Sequence, residues 1–160
     1  MKNAKRLEPG CGEVEICNVH GRSVATRLQA TNPLKLLALK RNTDIAWIYS
    51  STFGGGLVSG DQIDLNLRLA EHASCFLGTQ ASTKVYPSVD GQISRQRLTL
   101  SLESRSTCVV MPDPITCFAG ANYTQSMDMD CASTASLILV DWMTSGRRAY
   151  GERWGFTRFS

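Results

Sequence analysis

Short runs of alternating hydrophobic and polar residues dominate this chain. The clearest lies at residues 62–69 (QIDLNLRL), where aliphatic side chains occupy every second position. A strand places these side chains on one face, whereas a helix would distribute them around its circumference. Residues 13–19 and 97–103 repeat the pattern, and residues 126–130 show a weaker form of it. The alternation therefore predicts half-buried strands.

Other apolar runs predict further strands. Residues 45–49 and 137–140 are apolar at consecutive positions, which is typical of strands covered on both faces. Strands at roughly 8–12-residue spacing with Gly and Pro turns indicate an all-β, helix-poor fold, either a sandwich, a barrel or a solenoid. No internal repeat of fixed period is visible. The segment after Pro33 could instead be a helix, because Pro33 could occupy a first helical position. The further candidates are residues 22–28, 34–39 (the segment after Pro33), 75–79, 107–111 and 156–159.

Length and composition favour one folded domain over residues 1–160, with residues 1–12 frayed. A hydrophobic fraction of 42% and a charged fraction of 19% exclude general disorder. The formal net charge of +3 is too small to predict a nucleic-acid binder. No run approaches the roughly 18 apolar residues of a membrane-spanning helix.

The N-terminus and the cysteines indicate a cytoplasmic protein. Residues 1–10 are charged and no apolar run follows them, so no secretory signal is predicted. The default compartment is then the cytosol, where thiols stay reduced. The 6 cysteines form no C-x-x-C pair and the 2 histidines are isolated, so neither a disulfide framework nor a structural zinc site is expected. Most cysteines should be buried in strands as small hydrophobic residues.

A glycine cluster at residues 53–61 (FGGGLVSGD) is the first segment that could carry chemistry. A phosphate-binding loop would need a following helix or a Gly-Lys-Ser/Thr ending, and the segment has neither. Gly55 and Gly56 are therefore expected to allow positive φ or a close approach between strands. Asp61 suits a turn, and it could equally be a functional carboxylate where a strand begins.

Three further groups stand in polar or turn-rich loops. Lys84 could contact an anion or act as a nucleophile, although a solvated loop lysine is the simpler interpretation. Asp113 is held in one direction by Pro112 and Pro114, so it could serve recognition, a weak metal contact or only a stiff corner. Asp141 follows four aliphatic residues and is expected to be partly buried, which would require a hydrogen-bonding partner.

Residues 141–154 combine Trp, Arg and carboxylates, and Trp and Arg commonly anchor protein interfaces. Pairing of Arg with carboxylates inside the loop is the alternative. No nucleophile, base and oxyanion donors can be grouped anywhere in the chain, so an enzyme, such as a hydrolase using Asp113 or Asp141, is the least favoured functional class. A generic β-rich module that binds a protein or a small ligand is the second alternative.

Four of these segments together resemble the urease accessory protein D family, called H in some bacteria. Each segment alone is a weak signature, but all four in this order form a specific one. The resemblance covers about residues 13–160, and PDPITCF looks closer to the plant and fungal form. The matching segments are FGGGLVSGD at 53–61, TQASTKVY at 79–86, PDPITCFAGANYTQ at 112–125 and LVDWMTSGRRAYGERW at 139–154.

The resemblance implies a non-enzymatic protein built of stacked or helically wound β-sheets. It implies a cytosolic complex with accessory protein F and with accessory protein G, a GTPase, docked on apo-urease. The complex would help to insert nickel, bound transiently and without a tightly bound cofactor. Neither nucleic acid nor a membrane is an expected partner. Family members are longer, so the chain is expected to be incomplete after Ser160.

The candidate site residues follow from these motifs. Nickel accepts imidazole, thiolate and carboxylate ligands, and a carrier that must release its ion needs few and weak ones. We therefore expect a relay rather than a storage site, formed first by Asp61 and Asp141 and then by Asp113 and Glu152, with structural hydrogen bonding as the alternative for each. The candidates for motif or partner contacts are Gly55, Gly56, Lys84, Tyr86, Trp142, Arg147 and Trp154.

Overall fold

A computed structural model describes residues 7–160 as strands joined by turns, with two 3-10 helices of one turn each at Phe53–Gly55 and Arg148–Tyr150. In this part of the chain, neither helix is long and apolar enough to cross a bilayer. The predicted all-β class is confirmed. The strands are β1 (Cys11–Val19), β2 (Arg22–Ala30), β3 (Leu34–Leu39), β4 (Ala46–Thr52), β5 (Gly56–Leu57), β6 (Gln62–Leu69), β7 (Ser74–Thr79), β8 (Lys84–Val85), β9 (Ser94–Leu102), β10 (Thr107–Val110), β11 (Thr116–Cys117), β12 (Asn122–Cys131), β13 (Ser136–Leu139) and β14 (Arg158–Phe159).

The strands wind into a β-solenoid. Its three sheets have the strand orders β14-β12-β9-β6-β1-β2, β13-β10-β7-β4-β3 and β11-β8-β5. One complete turn consists of β6, β7 and β8, and the next turn stacks β9, β10 and β11 on it through parallel pairing. The antiparallel strands β2 and β3 extend the two larger sheets at one end.

Successive turns of the solenoid differ in length, which explains why the sequence shows no fixed period. Strands of the six-stranded sheet begin at Gln62, Ser94 and Asn122, and these starting points are unevenly spaced. A solenoid needs only that each turn places its apolar positions over those of its neighbour. Loops of different length can satisfy that condition without a sequence repeat.

Ladders of aliphatic side chains in register form the core between the sheets. Leu67 pairs with Val14 on one side and with Leu100 on the other, and all three are buried. Leu69 and Leu102 form the next rung of the same ladder. Burying one such side chain stabilises the fold by roughly 1.5–3 kcal/mol, so the alternation seen in the sequence is the main source of stability.

The outer faces of the two larger sheets differ in character. Charged pairs cover the six-stranded sheet, for example Arg68 with Glu103 at 2.8 Å and Arg27 with Glu13 at 2.9 Å. The five-stranded sheet is instead apolar outside. Residues 45–49 and 137–140, predicted to be covered on both faces, are covered only on the inner face by the described residues, because no further layer packs over them.

Several local predictions need correction. Cys11 and Gly12 belong to β1 and are hydrogen-bonded, so fraying to residue 12 is wrong, while residues 1–6 lie outside the described part. The strand expected at residues 156–159 is limited to Arg158–Phe159. All six thiols are free, but only those of Cys75, Cys108 and Cys117 are buried, so the expectation that most cysteines are buried is wrong.

Candidate functional site

The four motif segments, although far apart in the sequence, converge at the three-stranded sheet. Residues 53–61 supply β5, residues 79–86 supply β8 and residues 112–125 supply β11. The fourth segment packs beside them through a β-bridge between Ile115 and Met143. It is fixed there by a hydrogen bond of 2.9 Å between the hydroxyls of Thr144 and Thr116. One side of the solenoid therefore gathers every motif.

The glycine cluster plays both expected roles, but at different residues. Gly54 and Gly55 have φ of 74° and 72° in the 3-10 helix, with open space where a Cβ would be. Gly56 has an extended backbone and lies against β8. A Cβ at Gly56 would be 2.5 Å from the carbonyl oxygen of Lys84 and 2.8 Å from the Tyr86 ring. Contact between β5 and β8 therefore requires glycine at position 56.

Lys84 and Tyr86 thus shape the site through their positions within β8 and directly after it. The Lys84 side chain is exposed, so at this site the residue contributes through its backbone. The Tyr86 ring packs edge-on against Phe118, with ring centroids 5.2 Å apart. Both residues therefore help to join β8 to its neighbours.

An ion pair between Arg147 and Glu152 links two parts of the last motif segment. Arg147 donates two hydrogen bonds to the Glu152 carboxylate, one of them 3.0 Å from Nε to Oε2. Glu152 also accepts the Ala119 backbone N–H at 3.1 Å, and the Arg147 guanidinium lies 4.0 Å from the centre of the Phe118 ring. Both carboxylate oxygens are therefore engaged, and the predicted alternative of Arg–carboxylate pairing within the loop is present.

Acid should weaken this ion pair. Hydrogen bonds from Arg147, followed by that from Ala119, lower the pKa of Glu152 below its ordinary value of 4.5. A lowered pKa stabilises the fold above the ordinary pKa, and the contribution is lost as pH falls through the lowered one. In thermal unfolding between pH 7 and pH 3, Glu152→Gln should lower the melting temperature most at neutral pH. An equal difference at every pH would contradict this role.

The two tryptophans of the last segment are largely exposed. Trp142 Nε1 donates to the Pro112 carbonyl at 2.7 Å, which fixes the ring beside the proline-rich loop. Trp154 is 59% exposed. Indole rings held at a surface by backbone contacts can serve as anchors for a partner. Their predicted role as interface residues stays a prediction.

A cavity of about 140 Å³ lies between the two larger sheets, next to the three-stranded sheet. One water molecule needs about 10–15 Å³ of such space, so several can enter. The lining combines aliphatic residues such as Leu65 and Leu77 with Ser, Thr and Gln residues, and it includes Asp113, Asp141 and Arg97. A partly polar chamber with two acidic residues could admit a hydrated cation.

Each of these two carboxylates has a defined partner. The Asp113 carboxylate accepts a hydrogen bond from the Thr79 hydroxyl at 3.0 Å. The backbone N–H of Asp113 donates to the oxygen of that same hydroxyl at 2.7 Å. Asp141 accepts from Gln125 Nε2 at 2.6 Å. Asp141 is nevertheless exposed, so the expected partial burial is wrong, because the residue lies beyond the end of the edge strand β13.

Asp61 and Glu152 do not line this cavity. Asp61 accepts the Val58 N–H at 2.9 Å and so stabilises the turn that leads into β6. Of the four acids predicted to relay nickel, Asp113 and Asp141 therefore line the cavity. Asp61 and Glu152 instead accept hydrogen bonds within their own segments. Within residues 7–160, no three His, Cys, Asp or Glu side chains are grouped to hold a metal ion.

A buried polar network beside Asp141 was not predicted. The hydroxyl of Tyr123, a fully buried residue, donates to Gln96 Oε1 at 2.5 Å and lies 3.2 Å from Gln125 Oε1. Burial raises the pKa of Tyr123, so its hydroxyl remains a donor. The sequence contained a signal for this network. Gln96 and Gln125 occupy inward positions of strands with alternating patterns, and a polar side chain at such a position needs a hydrogen-bonding partner.

Comparison with known proteins gives a consistent result. The family model described as UreD urease accessory protein matches residues 8–160. The chain is 47% identical over 151 residues to urease accessory protein UreD of Sorangium cellulosum, which covers 94% of this chain and 48% of the relative. It is 44% identical over 149 residues to urease accessory protein D of Arabidopsis thaliana, covering 91% and 51%.

A fungal relative is more distant. Urease accessory protein 4 of Cryptococcus neoformans is 30% identical over 169 residues, covering 92% of this chain and 52% of the relative. The likeness is therefore shared by bacterial, plant and fungal proteins. The chain spans about half the length of the curated relatives it matches.

Proposed function

This chain belongs to the urease accessory protein D family, and we propose that it acts as a non-enzymatic scaffold and metallochaperone that helps to insert nickel into apo-urease. It works in the cytoplasm, in a complex with accessory protein F and the GTPase accessory protein G. Nickel is the cargo of this complex and binds only transiently. The cavity that carries the Asp113 and Asp141 carboxylates is the single observation that best supports this role.

The chemistry of the cavity suits an ion in transit. Carboxylate oxygens bind divalent cations, and a unit charge at 4 Å interacts with another by about 1 kcal/mol even in water. Two carboxylates therefore attract Ni²⁺, while the Ser, Thr and Gln oxygens that also line the cavity are weak ligands for it, and none of the described residues adds an imidazole or a thiolate to the lining. Thr79 and Gln125 hold the two carboxylates in defined positions, so the ion meets preorganised groups.

The exposed indoles beside the three-stranded sheet suit contact with a protein partner. Trp142 and Trp154 present apolar surface on a segment that the Arg147–Glu152 pair makes rigid. Interface anchors of this type commonly contribute 2 kcal/mol or more, which is roughly 30-fold in affinity. We assign this side of the solenoid to the assembly with accessory proteins and apo-urease.

Association with purified components tests this proposal. The whole chain should co-elute with apo-urease in the presence of accessory proteins F and G on size-exclusion chromatography. The double variant Trp142→Ala, Trp154→Ala should weaken that association at least tenfold, whereas Arg95→Ala, on the outer face of the six-stranded sheet, should leave it unchanged. Failure of the wild-type chain to associate with any of these proteins would favour the generic binding module instead.

A further inference from the structure

The outer face of the five-stranded sheet carries two adjacent rows of apolar side chains. The first row runs across all five strands, because Val109 pairs with both Ile138 and Phe76, Phe76 pairs with Trp47, and Trp47 pairs with Leu39. A second row lies two residues further along the strands. We call this surface the apolar face, and its residues are Ile138, Val109, Phe76, Trp47 and Leu39 in the first row and Met111, Tyr49 and Leu37 in the second.

Much of the apolar face is open to solvent in the described part of the chain. Ile138 is 57% exposed and Leu39 is 45% exposed. The Trp47 and Phe76 rings pack against each other at its centre, tilted by 32° and with centroids 4.7 Å apart. The equivalent positions on the six-stranded sheet are mostly polar or charged, with Arg, Glu, Asp, Asn and Thr among them. Contiguous exposed apolar surface on one sheet only is typical of an interaction site.

The size of the apolar face identifies the kind of occupant. Five strands about 4.8 Å apart and two rows about 7 Å apart give a surface on the order of 300 Å² once side-chain width is included. A stable dimer buries about 800 Å² on each partner, so this surface alone is too small to hold a second copy. It matches one α-helix, which is about 10 Å wide and spans 24 Å in about 16 residues.

Cations without carboxylate partners border the apolar face on β3 and in the loop that follows it. Lys35 Nζ lies 3.4 Å from the centre of the Phe53 ring, and the Arg41 guanidinium lies 4.3 Å from that of Trp47. Neither they nor Lys40 has a carboxylate within 4 Å among residues 7–160. A second copy would bring like charges, and three cations fall short of the 4–8 that typically bind anionic lipid. Carboxylates on a protein partner would complement them.

We propose that the apolar face docks an amphipathic helix of a protein partner. That helix would be apolar on the side facing Trp47 and Phe76 and would carry Asp or Glu along the edge that meets β3. This inference goes beyond the nickel role, because it concerns the outer face of a sheet whose inner face borders the cavity. It stands or falls independently of the proposed function.

Two labelled peptides of 16 residues test the inference with the whole chain. Both are helical with one leucine face, and they differ in having Glu or Lys along one flank. Fluorescence anisotropy should show at least tenfold tighter binding of the Glu peptide. The double variant Lys40→Glu, Arg41→Glu should reverse this preference, and Ile138→Ser with Leu39→Ser should weaken both peptides at least tenfold. Arg95→Glu, on the six-stranded sheet, is the matched control and should change nothing.

Several results would overturn the inference. One is equal or absent binding of the two peptides. Another is an effect of Arg95→Glu as large as that of Lys40→Glu, Arg41→Glu. A third is binding to vesicles of anionic lipid that Lys40→Glu, Arg41→Glu abolishes. Sedimentation showing a dimer that Ile138→Ser dissociates would identify a second copy as the occupant. The charge reversals at exposed positions keep the test valid even if the serine variants fold poorly, which thermal unfolding would reveal.

Discussion

Gly56→Val should disrupt the three-stranded sheet and destabilise the protein by about 3 kcal/mol or more, because the added Cβ would overlap the Lys84 carbonyl and the Tyr86 ring. Backbone atoms cannot move aside as a flexible side chain can, so β5 and β8 would have to separate. Typical domains are stable by only about 5–15 kcal/mol. Thermal and urea unfolding should show a large loss of stability or an insoluble product.

Gly55→Asn is the matched control. Gly55 has φ of 72° with no atom within 4 Å of an added Cβ, and Asn tolerates that conformation better than other residues with side chains. We expect it to cost about 1 kcal/mol or less. If Gly55→Asn and Gly56→Val lower the stability equally, the cluster requires glycine for its backbone conformation and not for contact between β5 and β8.

Asp113→Asn with Asp141→Asn should lower urease activation by roughly tenfold or more, since it removes two charges that each attract a divalent cation by about 2 kcal/mol at 4 Å in water. Asn keeps an oxygen that can accept the hydrogen bonds from Thr79 and Gln125, so the fold should be retained. The measurement is urease activity in cells that express the accessory proteins with the variant in place of the wild-type chain.

The single variant Asp61→Asn provides the comparison. Asp61 lies outside the cavity and accepts a hydrogen bond within its turn, so activation should stay near the wild-type value. A defect in the double variant accompanied by loss of complex assembly would show that Asp113 and Asp141 are structural. A defect in Asp61→Asn as large as that of the double variant would contradict the division of the four acids.

The longer strands could be predicted from the sequence because their physical cause is local. Residues 62–69 alternate so regularly that only a strand buries Ile63, Leu65, Leu67 and Leu69 together, and β6 occupies those residues. The helical alternative after Pro33 is excluded, since β3 pairs with β4 there. Periodicity reports on neighbours within one strand, which is why this part of the prediction is confirmed.

The assembly of the site could not be predicted in the same way. Strands β5, β8 and β11 have two residues each, too few for any alternation to be recognised. Only their parallel stacking, which depends on turns far apart in sequence, brings Gly56 against Lys84. The same stacking decides that Asp113 and Asp141 line one cavity while Asp61 does not. Long-range register therefore determines the site, and it leaves little trace in local sequence.

Transfer of radioactive nickel to apo-urease measures directly whether Asp113 and Asp141 carry the ion. Purified apo-urease would be incubated with ⁶³Ni²⁺, bicarbonate, GTP, accessory proteins F and G, and either the wild-type chain or the variant with Asp113→Asn and Asp141→Asn. We expect the wild-type chain to increase the nickel bound to urease, and the variant to assemble the same complex but to transfer at least tenfold less nickel. Equal nickel transfer by both chains in assembled complexes would contradict a passage of the ion along these carboxylates.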